Sequence, residues 1–146
     1  MQTVSLQQAN MIIERALWRA DELGIQPLTV VVIDDSGNVK AAQRQDGASM
    51  FRFDVALGKA WACVAMGASS RTLAQRAKEN PNFFVTLAAT AQGRFLPQTG
   101  GVLIRSPSGA VIGAAGASGA SGDEDESVCI YGIEQAGLVA EPAGST

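Results

Sequence analysis

The chain has 146 residues, 47% of them hydrophobic but only 5% aromatic, with 16 glycines, a net charge of −3 and a pI near 4.8. That length makes one domain with an ordinary core, and the acidic balance argues against nucleic acid or an anionic membrane as partner. Histidine is absent, which removes Ser–His–Asp and Cys–His triads, the common zinc sites and histidine-ligated haem, and leaves carboxylates, lysines, one tyrosine and two thiols for acid–base chemistry.

Ser5 with Gln8 three residues on has the form of a capping box, and Leu6, Ala9, Ile13, Ala16, Ala20 and Leu23 follow at helical spacing, so residues 5–24 read as an amphipathic helix. Past Pro27, the β-branched run Leu28 to Ile33, the turn residues 34–37 and the run Val39 to Arg44 make a β-hairpin, with Lys40, Ala42 and Arg44 on one side of its second strand. The period then changes, and Ala56, Ala60, Cys63, Val64 and Gly67 mark the narrow stripe of a helix over Phe51 to Met66 that can lie close on a sheet. Ser69-Ser70 caps a short helix to Glu79. Asn80-Pro81 opens another that ends at Gly93, although Phe84 to Ala91 also reads as an apolar strand. Leu96-Pro97 is at most a short edge piece.

A second hairpin follows, with strands over Val102 to Arg105 and Ala110 to Gly116. Beyond it comes a glycine-rich loop through Ser118 and Gly119, which delivers Asp123, Glu124, Asp125 and Glu126 to the first turn of a last helix ending near Leu138. Residues 139–146 read as a frayed tail. There is no internal repeat and no linker, so residues 1–146 form one domain. Helix, two strands, helices, further strands and a helix, joined by tight turns, give an α+β fold with a mostly antiparallel sheet. No basic leader and no long apolar run is evident, so a cytoplasmic location is the default expectation. Cys63 and Cys129 read as buried, reduced thiols rather than a bridge.

The spaced motifs Val32-x-Asp34-x-x-Gly37, Arg44-x-Asp46-Gly47-Ala48, Lys59-Ala60, Gly100-Gly101 and Gly113-x-x-Gly116-x-Ser118-Gly119, followed by Asp125-Glu126, together resemble the GlcG/HbpS family of small haem-binding and haem-degrading-type proteins. The resemblance covers residues 4–138. It implies a profilin-like fold of α-β-α layers around a five-stranded antiparallel sheet, assembly into homo-oligomers, and kinship with the haem-binding module of PduO-type cobalamin adenosyltransferases. Haem is therefore a possible cofactor. With no histidine for the axial position, its iron would need a tyrosine, cysteine or methionine ligand, or the ring a purely apolar slot. Tyr131 and Cys129 on the last helix are the candidates, and each reads first as a core residue.

Other residues carry two readings each. Arg44 offers a planar fork to a ligand carboxylate, or an internal ion pair to Asp46 or the acidic cluster. Lys59, in a helix of small residues, is a proton-transfer or carbonyl-reactive amine, or one half of a salt bridge to Asp125 or Glu126. Four consecutive acids on a helix point about 100° apart and do not converge, so no metal site is expected, and one of Asp125 and Glu126 should turn inward. Gly101, Gly116 and Gly119 let a ligand or another stretch of backbone approach closely, or simply serve turns, and Ser118 is a hydrogen-bond donor rather than a nucleophile.

Two functions of different class follow. One is an oligomeric module that binds haem or another small-molecule ligand in a pocket of the glycine-rich loop, the Lys59 helix and a neighbouring subunit. The other is a cofactor-independent isomerase, lyase or hydrolase acting on a small organic acid or carbonyl compound. There Arg44 anchors the carboxylate, Lys59 or Asp125/Glu126 moves protons, and the amides of residues 116–119 hold an oxyanion.

Overall fold

A computed structural model of the chain describes residues 2–144. The elements in chain order are α1 (Leu6–Leu23), β1 (Thr29–Asp34), β2 (Val39–Arg44), α2 (Phe51–Met66), α3 (Ser70–Glu79), α4 (Pro81–Thr90), β3 (Gly101–Arg105), β4 (Val111–Ser118), α5 (Gly122–Gln135) and β5 (Val139–Glu141). The five strands form one antiparallel sheet in the order β2-β1-β4-β3-β5.

Alternation along the central strands explains the layers. Val30 and Val32 of β1 join Val102, Ile104 and Ala115 against α1 and α5. Val31 and Ile33 join Leu103 and Ala114 against Ala56, Ala60 and Cys63 of α2. The sheet thus lies between an α1–α5 layer and an α2 layer, while α3 and α4 bury Leu73 and Phe84 against the outer side of α2. The fold is α+β in three layers.

Small residues let these layers meet backbone to backbone. A Cβ on Gly116 would lie 2.1 Å from the carbonyl oxygen of Ala56, one on Gly101 2.6 Å from that of Lys59, and one on Gly132 2.3 Å from that of Ile12. Gly116 and Gly101 therefore serve the seat of α2 on the sheet rather than the approach of a ligand.

Two expectations are corrected. Residues 139–141 are not frayed: they add a fifth strand to the edge of β3, with Ile104 opposite Ala140 and Arg105 tied to Glu141 at 2.8 Å. The remainder of that tail is irregular to Gly144, and residues 145–146 lie outside the described residues. The glycine-rich loop is also shorter than read, because β4 continues to Ser118 and Gly116 is registered with Val31 and Gly101. The Ala117 amide donates to the Gly100 carbonyl at 3.0 Å, so these amides are not collectively free to hold an oxyanion. Residues 96–97 form no strand.

Candidate functional site

The buried centre of the acidic segment is a lysine–aspartate pair. Ser121 caps α5 by accepting from the Glu124 amide, and Glu124 accepts from the Ser121 amide in return, which fixes the first turn. Asp125 is thereby turned to the sheet and Glu126 to α3. Lys59, 5% exposed, donates to Asp125 Oδ2 at 3.2 Å and to the Ala117 carbonyl at 3.0 Å, while Asp125 Oδ1 accepts from the Ala120 amide at 3.1 Å. Glu126 is not a partner of Lys59. It takes the Arg71 guanidinium at 3.1 Å, and Arg71 also reaches Asp123. The hydrogen bonds that Arg71 donates to Glu126, and then to Asp123, hold its guanidinium more firmly protonated than usual. Both inward acids are buried, where one was expected.

Lys59, Asp125 and Ser118 line one polar cavity of about 400 Å³, together with Arg52 of α2. Arg44 and Asp46 line another of about 470 Å³ beside α1, and the two cavities have no residue in common. The Arg44 guanidinium donates to the Ala48 carbonyl at 2.7 Å rather than to Asp46. The structure therefore separates the expected carboxylate anchor from the expected proton-transfer residues. Gly119 closes against the chain before β1, where a Cβ would lie 2.3 Å from the Pro27 oxygen.

A third cavity, about 480 Å³, opens between α1, α5 and the C-terminal segment. Leu23, Ile130 and Pro142 give it apolar walls, and Arg19, Arg71 and Tyr131 bring polar ends to it. The Tyr131 ring stacks on Trp18 at 6.0 Å and carries the Arg19 guanidinium 5.2 Å from its centroid. Arg19 pairs with Glu22, and Glu134, also on the wall, accepts from the Gly144 amide.

Both thiols are free and buried, so Cys129 has no access to this cleft. Burial pushes the Cys63 thiol from 9.0 up to about 12, and burial and then the neighbouring Asp125 push Cys129 up as well. Unfolded thiols lose their protons near pH 9 and these do not, so above that pH the unfolded chain binds fewer protons and stability falls. The loss is about 1.4 kcal/mol per pH unit for each thiol until the folded thiol itself titrates. Urea midpoints at about pH 8 and about pH 10 should diverge in the native chain, and diverge less in Cys63→Ala/Cys129→Ala.

A family model described as "Haem degrading protein HbpS-like" matches residues 4–134. The chain belongs to that HbpS-like family. Among solved structures, the PduOC:heme complex superposes with a TM-score of 0.82 at 25% identity, covering 93% of this chain and 96% of that one. A double mutant of Streptomyces reticuli HbpS gives a TM-score of 0.79 at 28% identity, covering 92% of this chain and 87% of that one. The corrinoid adenosyltransferase PduO of Citrobacter freundii is 26% identical over 123 residues, which is 84% of this chain but 36% of that protein. The chain thus spans about a third of that relative. Among the described residues no helix is long and apolar enough to cross a membrane.

Sequence reasoning missed Arg52, Arg71 and Ser70. Ser70 is wholly buried and closes the start of β3, accepting from the Gly101 amide at 2.7 Å and donating to its carbonyl at 3.2 Å. The signal for Arg52 was present: with Val55 and Lys59 it falls at i, i+3 and i+7, one face of α2.

Proposed function

We propose that this protein is a haem-binding, homo-oligomeric member of the HbpS-like family that takes haem in the cleft between α1 and α5. The observation that carries the proposal is the composition of that cleft, in which apolar walls stand beside the chain's one phenol and two guanidinium groups, with Glu126 turned to Arg71 and Glu134 to the Gly144 amide. This matches an apolar ring bearing carboxylates, and tyrosine is an established iron ligand. Tyr131 would supply the ligand, with Leu23 and Ile130 against the ring and Arg19, whose only ion-pair partner among the described residues is the exposed Glu22, at its carboxylates. Bound haem supplies a redox-active iron whose potential follows its ligand and surroundings. The relative solved as a complex with heme supports the reading.

Assembly is supported by Met50 and Phe51, large apolar side chains that stand exposed together at the start of α2. A cofactor-independent isomerase, lyase or hydrolase built on Arg44 has less support, because its anchor and its proton-transfer groups line different cavities. Titration with haemin should give a saturable Soret band that is shifted in Tyr131→Phe. An absorbance change that never saturates, or one identical in the variant, contradicts this site.

A further inference from the structure

We infer that the cavity between the Arg52–Lys59 face of α2, the end of β4 and the start of α5 binds a small organic carboxylate carrying a second oxygen acceptor. This site is separate from the haem cleft and does not rest on it.

Arg52 is a cation of this cavity with no carboxylate partner among the described residues. It is half-buried, and its Nη1 approaches Ser118 Oγ at 3.4 Å. Lys59 offers a second, independent donor. Its ammonium group has three protons and two acceptors, Ala117 and Asp125, so one N–H of a side chain only 7% exposed has no acceptor among the described residues, and it lines the same cavity. The two cations are seven residues apart on α2, two turns along one face. They meet adjacent residues at the end of β4, Ser118 and Ala117. Directly across the sheet from Ser118, Thr29 keeps a buried hydroxyl with no partner among the described residues.

Pairing and shape select the ligand. The cavity also presents Asp123 and Asp125, but Asp125 is engaged by Lys59 and Asp123 by Arg71, which holds Glu126 as well. Cations and carboxylates therefore balance here, and Arg52 is the cation without a carboxylate in contact, which favours a monoanion over a more highly charged ligand. A phosphate dianion would meet two carboxylates on the wall, whereas a planar carboxylate matches the guanidinium fork. A carbonyl or hydroxyl oxygen next to that carboxylate would accept the remaining Lys59 N–H. The polar lining, including Gln98 and Thr99, suits such a molecule and not an apolar ring.

The test is calorimetry and amide-shift mapping with pyruvate as probe, with acetate and inorganic phosphate alongside. Pyruvate should bind saturably, shift the amides of Ser118 and Gly122, bind more tightly than acetate, and weaken roughly tenfold or more in Arg52→Gln. Arg52 makes no ion pair among the described residues and its one side-chain hydrogen bond there, to Ser118, is long at 3.4 Å, so that variant should keep a near-native melting temperature and haemin binding, which keeps this result distinct from any failure of the haem reading. No saturable pyruvate binding, unchanged affinity in Arg52→Gln, equal affinity for acetate, or phosphate binding as tightly as pyruvate would each overturn the inference.

Discussion

Lys59→Met destabilises the protein by about 3–5 kcal/mol, whereas Lys59→Met/Asp125→Asn recovers a substantial part of that loss. The reason is the asymmetry of a buried ion pair. Lys59 and Asp125 are 5% and 1% exposed, and removal of the ammonium leaves Asp125 charged in the interior with the Ala120 amide as its remaining partner. The Ala117 carbonyl loses its lysine donor as well. Neutralising Asp125 removes the unpaired charge, so the pair should show strong coupling in a double-mutant cycle followed by urea denaturation. Equal losses in the single and double variants would show that the pair is not the unit of stability described here.

Gly116→Ala is expected to cost about 3 kcal/mol or more, at the top of the usual range for overpacking. The added methyl group would lie 2.1 Å from the Ala56 oxygen and 3.1 Å from the Ala60 nitrogen, both backbone atoms of α2. No rotamer change relieves such a contact, so the helix must rise off the sheet and carry Arg52 and Lys59 with it. A melting temperature equal to that of the native chain would mean that α2 does not seat on Gly116 as described.

The contrast between these two positions shows what the sequence made legible. Lys59 was readable because a charge inside a stripe of small residues demands a partner, and Asp125 was one of two acids offered. Gly116 reads as a point of close approach for a ligand or another backbone, and the structure brings the backbone of α2 there, a distinction that depends on what arrives from another part of the chain. α2 was read with its observed limits, since its period and the Gly67 stop agree. β5 was not read, because three residues are too short to show alternation and only the open edge of β3 gives them a place. Arg44 and Lys59 come together in the enzyme reading as anchor and proton carrier, whereas strand direction sends Arg44 to a cavity beside α1. Arg71 lies on a ten-residue helix with an unremarkable pattern, and nothing local announces that Glu126 waits for it.

The haem reading depends on a cleft whose parts come from both ends of the chain, Trp18 and Arg19 of α1 and Tyr131 of α5, joined by the close seat of Gly132 on Ile12. Its most direct test is native mass spectrometry of the purified protein before and after one equivalent of haemin. The account predicts a stoichiometric haem adduct retained on a defined homo-oligomer. A spectrum without the adduct, or with haem added in a non-integral and unsaturable series, would contradict it.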